Sequence, residues 1–400
     1  MLLIRKLYCR VFQKIMHLLI PLFPYREPML LDDYFGIINV LKEKKINSVM
    51  LITGKRVRGY GLTTPLEELL KDNCISCTIY DGTLQNPTSN NVEEARNLYL
   101  ENKCKSLIAF GGGSVMDCAK ALGARIVRPK KSLKKMQGLI KVCKKLPLFF
   151  AIPTTAGSGS EATVASVIVD SETHHKYVIN DFCLIPHYAI MSPSVTVSLP
   201  KHITSTTGMD ALTHALEVYI GKSMTRKSRK AAEEAIKLIF ENLEKAYFDG
   251  QDLIARKNML HASYLAGTAF TKSYVGYVHA LAHPLGGKYG VAHGLANAVL
   301  LPHVLRAYTK AVVRPLANLA KLVGLVDDNV SKEEAAEIFI LHIEKMNKTM
   351  EIPNKLDCIR LEDIPFMAKL ADKEANPLYP VPVLWGAKEL ENLYLVVCNK

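Results

Sequence analysis

Beyond the turn-forming "YREP" at residues 25–28, short apolar runs rich in β-branched and aromatic residues alternate with longer polar stretches of helical period. "SVMLIT" (48–53), "CTIY" (77–80), "SLIAFGGG" (106–113), "LFFAIPTT" (148–155) and "YAIMSP" (188–193) are predicted strands, and "NVEEARNLYLENK" is a predicted helix. Strand-then-helix alternation implies a mostly parallel sheet with helices on its faces. Near residue 195 the texture changes. Segments such as "TRKSRKAAEEAIKLIFENLEKAYF" and "ARKNMLHASYLAGTAF" predict helix after helix with few strand candidates. The expected organisation is an α/β domain over 29–195 and an all-helical domain over 196–400, the boundary falling between Ser192 and Ser205.

The first 28 residues stand apart. "MLLIRKLYCRVFQKIMHLLIPLF" sets Arg5, Lys6, Arg10 and Lys14 at helix-compatible spacing among apolar residues. It is too interrupted by charge to span a membrane and has no A-x-A-like cleavage site. A basic amphipathic extension results. Packing on its own domain or on a partner subunit is favoured over weak contact of residues 1–24 with a membrane surface.

Four hundred residues exceed one hydrophobic core, and two domains are expected. A formal net charge of +13 would attract polyanions, but charge alone does not choose among them. The basic run at 128–145, "RPKKSLKKMQGLIKVCKK", reads as a solvated loop and helix face, with no nucleic-acid partner inferred. Nine scattered cysteines, an odd number, point to reduced thiols and a cytoplasmic setting. Cys74 and Cys77 lack the second pair a zinc site needs.

Two loops carry candidate chemistry. "AFGGGSVMDCAKALGA" puts three glycines between an apolar strand and a helix beginning near Ser114, where backbone N–H groups and a helix N-terminus can receive a phosphate. "PTTAGSGSEAT" (153–163) follows the next strand. In a parallel sheet both emerge at the carboxyl ends of strands, where open α/β folds bind ligands, so a nucleotide site is expected.

Histidines carry the rest. In "GMDALTHALEVY", Asp210 and His214 are four apart on one helix face, and in "VHALAHPLGG" His279 and His283 share that spacing. Pro284, Gly286 and Gly287 are expected to end the second helix, bringing His293 in from a following loop or new helix. Imidazoles with one carboxylate suit zinc, iron or another first-row divalent ion, not calcium or magnesium. Spacing does not say whether His279 or His283 is the ligand.

"GGGSVMDCAK", "PTTAGSGSE", "GMDALTHALE" and "HALAHPLGGKYGVAHG" together resemble the iron-containing (group III) alcohol dehydrogenase family, in order, from about residue 30 to the C-terminus. The resemblance implies an N-terminal dinucleotide-binding α/β domain and a C-terminal helical domain carrying the metal site, a fold shared with dehydroquinate synthase. It assigns Asp210, His214, His279 and His293 to an iron (Fe2+, with Zn2+ or another divalent ion as alternatives). His283 takes the catalytic position near the nicotinamide. Gly112, Gly113, Ser114 and Asp117 match the pyrophosphate and ribose loop, Thr154, Thr155 and Ser158 the second loop, and Val167 and Lys176 line the cofactor cleft.

The implied reaction is hydride transfer between a small alcohol or aldehyde and a nicotinamide, by a homodimer. Phe270 and Tyr274 or Tyr277 are candidates for the substrate pocket. One departure concerns the cofactor: many NAD-using members have an aspartate after the first strand where this chain has Gly54. Loss of that carboxylate, with Lys55, Arg56 and Arg58 nearby, favours NADP(H) over NAD(H). The alternatives are a dehydroquinate synthase-like or glycerol dehydrogenase-like enzyme, or a non-catalytic membrane-surface protein on the same fold.

Overall fold

The computed structural model describes residues 3–173 and 175–399. They group into two units: Pro24–Ser198, and Leu199 onward together with the segment ending at Phe23.

The first helix, α1 (Leu3–Leu19), belongs with the second of these. In the α/β unit the strands are β1 (Met29–Leu31), β2 (Ser48–Ile52), β3 (Ser76–Tyr80), β4 (Ser106–Gly111), β5 (Gly138–Leu139), β6 (Leu148–Pro153), β7 (Ala165–Val169), β8 (Lys176–Asn180) and β9 (Tyr188–Ile190). Their connections hold α2 (Tyr34–Glu43), α3 (Lys55–Gly59), α4 (Thr64–Asp72), α5 (Ser89–Glu101), α6 (Gly113–Val127) and α7 (Leu133–Met136). A six-stranded sheet runs β1-β9-β6-β4-β2-β3 with every neighbouring pair parallel. The apolar runs are continuous because both faces are covered. Along β4, Leu107 and Ala109 join the core around Ala119 and Leu122 of α6, while Ile108 and Phe110 join that around Ile37 and Leu41 of α2.

From β2 the chain goes outward to β3, then returns to place β4 on β2's other side. The order therefore reverses between β2 and β4, the place where such sheets open a ligand crevice at the strands' carboxyl ends. A second sheet, β5-β8-β7, contains the antiparallel β7–β8 hairpin, which the strand pattern does not announce.

The helical unit comprises α1 with α8 (Lys201–Ile220), α9 (Arg226–Phe248), α10 (Leu253–Ser273), α11 (Tyr277–Tyr289), α12 (His293–Ala307), α13 (Val313–Leu322), α14 (Lys332–Thr349), α15 (Ile364–Ala375) and α16 (Ala387–Val397). Helix α8 is its axis, buried without interruption from Gly208 to Ile220. It is packed on every side, and the side chains it buries include the polar Asp210, His214 and Glu217. A Cβ on Gly208 would lie 2.2 Å from Leu243 Cδ1 of α9, and one on Gly294 of α12 only 2.3 Å from Thr206 O of α8.

Two expectations change. The extension does not end at residue 28: Arg26 donates to Pro186 O (2.7 Å) and to Ile185 O, which ties the stretch after Phe23 to the α/β unit. Nor do Pro284, Gly286 and Gly287 end α11, which continues to Tyr289 and stops at Gly290 in the left-handed region (φ 69°). An internal proline removes one backbone bond, and the burial of Leu281, Ala282 and Leu285 holds the helix through it.

Candidate active site

Helix α8 presents Asp210 and His214 one turn apart, α11 presents His279, and His293 is the first residue of α12. Asp210, His279 and His293 each bring a ligand atom within 4.8 Å of the others. His214 stands beside them, its ring 4.4 Å from that of His279 and 4.3 Å from Phe270. Burial pushes the His279 imidazole down to about 4, so it offers a lone pair at neutral pH. Burial would raise Asp210, but His214, His293 and His279 hold it below the ordinary carboxylate range.

The surroundings fix the ring of His279. Glu217, buried on α8, accepts from the backbone N–H of Gly276 and Val278 (both 2.7 Å) and meets His279 Nδ1 at 2.6 Å. That pairing places the Nδ1 proton toward Glu217 and leaves Nε2 as the free lone pair. A Cβ on Gly276 would sit 2.7 Å from Glu217 Oε1. Asn297, one turn after His293, sends Nδ2 to Asp210 Oδ1 (2.7 Å) and to Nε2 of both His279 and His293 (3.2 Å each). Three lone pairs thus converge on one partial positive charge. His283 stacks on His293 with ring centroids 5.3 Å apart, while its Nδ1 meets Glu374 Oε1 at 2.6 Å and Tyr379 donates to the same oxygen at 2.7 Å.

The expected cofactor residues gather in the α/β unit. Gly112 caps α6, and Gly113 is its first residue. A Cβ on Gly112 would meet Thr155 Oγ1 at 3.2 Å and one on Gly113 would meet Ser158 Oγ at 2.9 Å, so the two glycine loops pack directly on each other. Thr154 N–H donates to Gly111 O, and Ser114 Oγ donates to Gln85 O. Asp117 accepts from Ser160 Oγ at 3.2 Å, and burial raises it to about 6. Val167 lies on β7 opposite Val178, and Lys176 opens β8 with Nζ donating to Asn86 Oδ1 (3.3 Å). Gly54, at the end of β2, caps α3. Lys55 and Arg56 behind it are exposed, whereas Arg58 is taken by Asp81 at 2.9 Å. Tyr277 does not face a pocket; it is fully buried, with its hydroxyl donating to Trp385 O.

Comparison with known proteins matches residues 35–193 to the family "Iron-containing alcohol dehydrogenase" and residues 204–395 to "Fe-containing alcohol dehydrogenase family, C-terminal". The 1,3-propanediol dehydrogenase of Klebsiella pneumoniae is 38% identical, covering 82% of this chain and 85% of its own length. The NAD-dependent methanol dehydrogenase of Bacillus methanolicus is 34% identical over 83% of this chain and 87% of its own. A crystal structure of 1,3-propanediol oxidoreductase superposes with a TM-score of 0.89 at 34% identity, covering 93% of this chain and 99% of that one.

The chain belongs to the iron-containing alcohol dehydrogenase family. Its activity is that of a metal-dependent alcohol dehydrogenase working with a nicotinamide cofactor.

The donor set of this iron-containing alcohol dehydrogenase fits a divalent ion. One buried carboxylate and neutral imidazoles converge on one point, with a carboxylate behind His279 to orient it. Sequence reading missed Glu217 and Asn297. Both were within its reach: Glu217 follows Asp210 by seven and His214 by three, and Asn297 follows His293 by four, so each shares a helix face with an expected ligand. Glu374 and Tyr379 had no such signal, since the contact with His283 spans 91 residues.

Proposed function

We propose that Asp210, His214, His279 and His293 hold Fe2+, and that the enzyme interconverts short primary alcohols or diols and their aldehydes. The convergence of Asp210, His279 and His293 on one point carries this reading. When bound, the ion supplies Lewis-acid polarisation of the substrate oxygen, and the nicotinamide supplies or accepts the hydride. The site holds the protonation states that bind a cation: burial keeps His279 neutral, and Asn297 Nδ2 donates to Asp210 Oδ1, which favours the carboxylate. His283, paired with Glu374 and through it with Tyr379, is the group that moves the alcohol's proton. The backbone of Gly112 and Gly113 receives the pyrophosphate at the α6 N-terminus, with Ser114, Asp117, Thr154, Thr155, Ser158, Val167 and Lys176 completing the cofactor's surroundings.

NADP(H) preference is part of the proposal. It rests on Gly54 in place of a carboxylate and on exposed Lys55 and Arg56; Arg58 contributes less than expected, being paired with Asp81. The relatives' names supply the class of substrate and cofactor, not the 2′-phosphate. A homodimer in the cytoplasm goes with this reading, the latter supported by nine free cysteines. Among the described residues no helix is long and apolar enough to cross a membrane.

The test is anaerobic assay of iron-loaded protein with NADPH or NADH against short aldehydes. NADPH oxidation that vanishes in His279→Ala supports the whole reading. A preference for NADH above about tenfold in kcat/KM, roughly 1.4 kcal/mol, overturns the cofactor assignment alone.

A further inference from the structure

Helix α1 is docked with its polar side inward. Arg5 forms a two-pronged pair with Asp372 (2.7 and 2.8 Å). Arg10 donates to Val381 O and Pro382 O, Gln13 to Pro377 O and Tyr379 O, and His17 Nδ1 meets Ser223 O. Cys9 and Gln13 are buried beneath it. The opposite side is apolar: Ile4, Leu7, Tyr8, Val11, Ile15 and Leu18 are each half or more exposed. At 100° per residue they form one stripe about 100° wide, the width that normally faces a core.

We propose that this stripe lies on the surface of an anionic lipid bilayer. Charge identifies the partner. Residues 1–26 hold no aspartate or glutamate; Arg5, Arg10 and Arg26 are engaged with the protein's own acceptors, while Lys6 and the exposed Lys14 remain, Lys14 bordering the stripe. A basic helix with an apolar face is the form that seats itself between headgroups and acyl chains, drawn there by negative lipid. A second copy of the same face would set two acid-free basic helices against each other, with no opposite charge to answer either. The helix is 17 residues long, about 26 Å at 1.5 Å per residue, and its charges forbid insertion, so it lies in the interface rather than across it. Because seven side-chain hydrogen bonds already hold α1 against the helical unit, the stripe is presented ready-formed.

Sedimentation of the full chain with vesicles decides it, comparing mixed phosphatidylcholine and phosphatidylglycerol with phosphatidylcholine alone. Binding to the mixed vesicles, weaker by roughly tenfold on neutral ones or in high salt, is expected. The double variant Val11→Asp/Ile15→Asp should lose it while keeping its Tm and circular dichroism, since both side chains already face solvent. Lys14→Glu should weaken it. Failure of the full chain to pellet with anionic vesicles, or equal pelleting by the double variant, overturns the proposal. A fall in mass by light scattering in the double variant, without lipid binding by the parent, assigns the stripe to a second copy instead.

Discussion

At the scale of single residues, Glu217 shows how much of the site sits behind its ligands. Its carboxylate fixes the ring of His279 and the backbone of Gly276 and Val278 together. Glu217→Gln is expected to weaken metal affinity by about 10- to 100-fold, read as metal retained against a chelator of known strength. His187, in the α/β unit, makes a different point. Burial, with Arg26 and Lys145 nearby, lowers its pKa to about 4, and its Nδ1 accepts from Phe149 N–H. The unfolded chain, with an ordinary imidazole near 6.5, binds this proton first as pH falls. The stabilising contribution is therefore complete above pH 6.5 and is lost as pH drops from 6.5 toward 4. It amounts to roughly 1–3 kcal/mol. Denaturant titrations of His187→Gln across that window should show a flatter pH dependence than the parent; parallel curves would contradict the assignment.

Elements follow a plainer physics, and their success in the sequence reading was uneven for that reason. Strands β2, β4 and β6 and the switch to helices were legible because their apolar runs are long and both faces are buried, and β3 and β9 because short β-branched or aromatic runs still mark them. Strand β1 has three residues at a sheet edge, with Met29 and Leu30 exposed, so no run marks it. Proline signals a helix end, but α11 runs on past Pro284 because the packing around it holds the helix. Helix α1 was legible as a helix but not in its orientation: periodicity reveals a stripe and is silent about what the stripe meets. The i, i+4 spacing put Asp210 with His214 and His279 with His283 on shared helix faces but left the choice between His279 and His283 open, and the Glu374 contact needed the fold. The approach of α12 to α8 allows no side chain at Gly294, where a Cβ would strike Thr206 O and lie 3.4 Å from Asp210 Cβ. Gly294→Ala should cost about 1–3 kcal/mol, lower Tm by several degrees, and weaken metal binding with it.

For the whole molecule, the expected metal ligands all lie in the helical unit and the expected cofactor residues all lie in the α/β unit. Ligands that bind only the folded state stabilise what they bind, by about 2.7 kcal/mol at a hundred times Kd. Calorimetry should show the divalent ion raising the transition of the helical unit and the dinucleotide raising that of the α/β unit. Chelation should reverse the first and leave the second. One merged transition moved equally by either ligand would show that the units unfold as one.

The bond between Arg5 and Asp372 joins residues 367 apart in the chain, which makes the α/β unit an insertion within the helical one. A ribosome adding about 5–20 residues per second needs about 20–70 s to travel between them. For most of that interval the first helix is outside the tunnel with neither its polar nor its apolar side covered, and once β9 is made, about halfway through, the α/β unit has all its strands and can close. The helical unit is thus completed last, by the piece that was made first, and a nascent chain halted before Tyr379 would display a basic, apolar helix to whatever chaperone or lipid stands nearest.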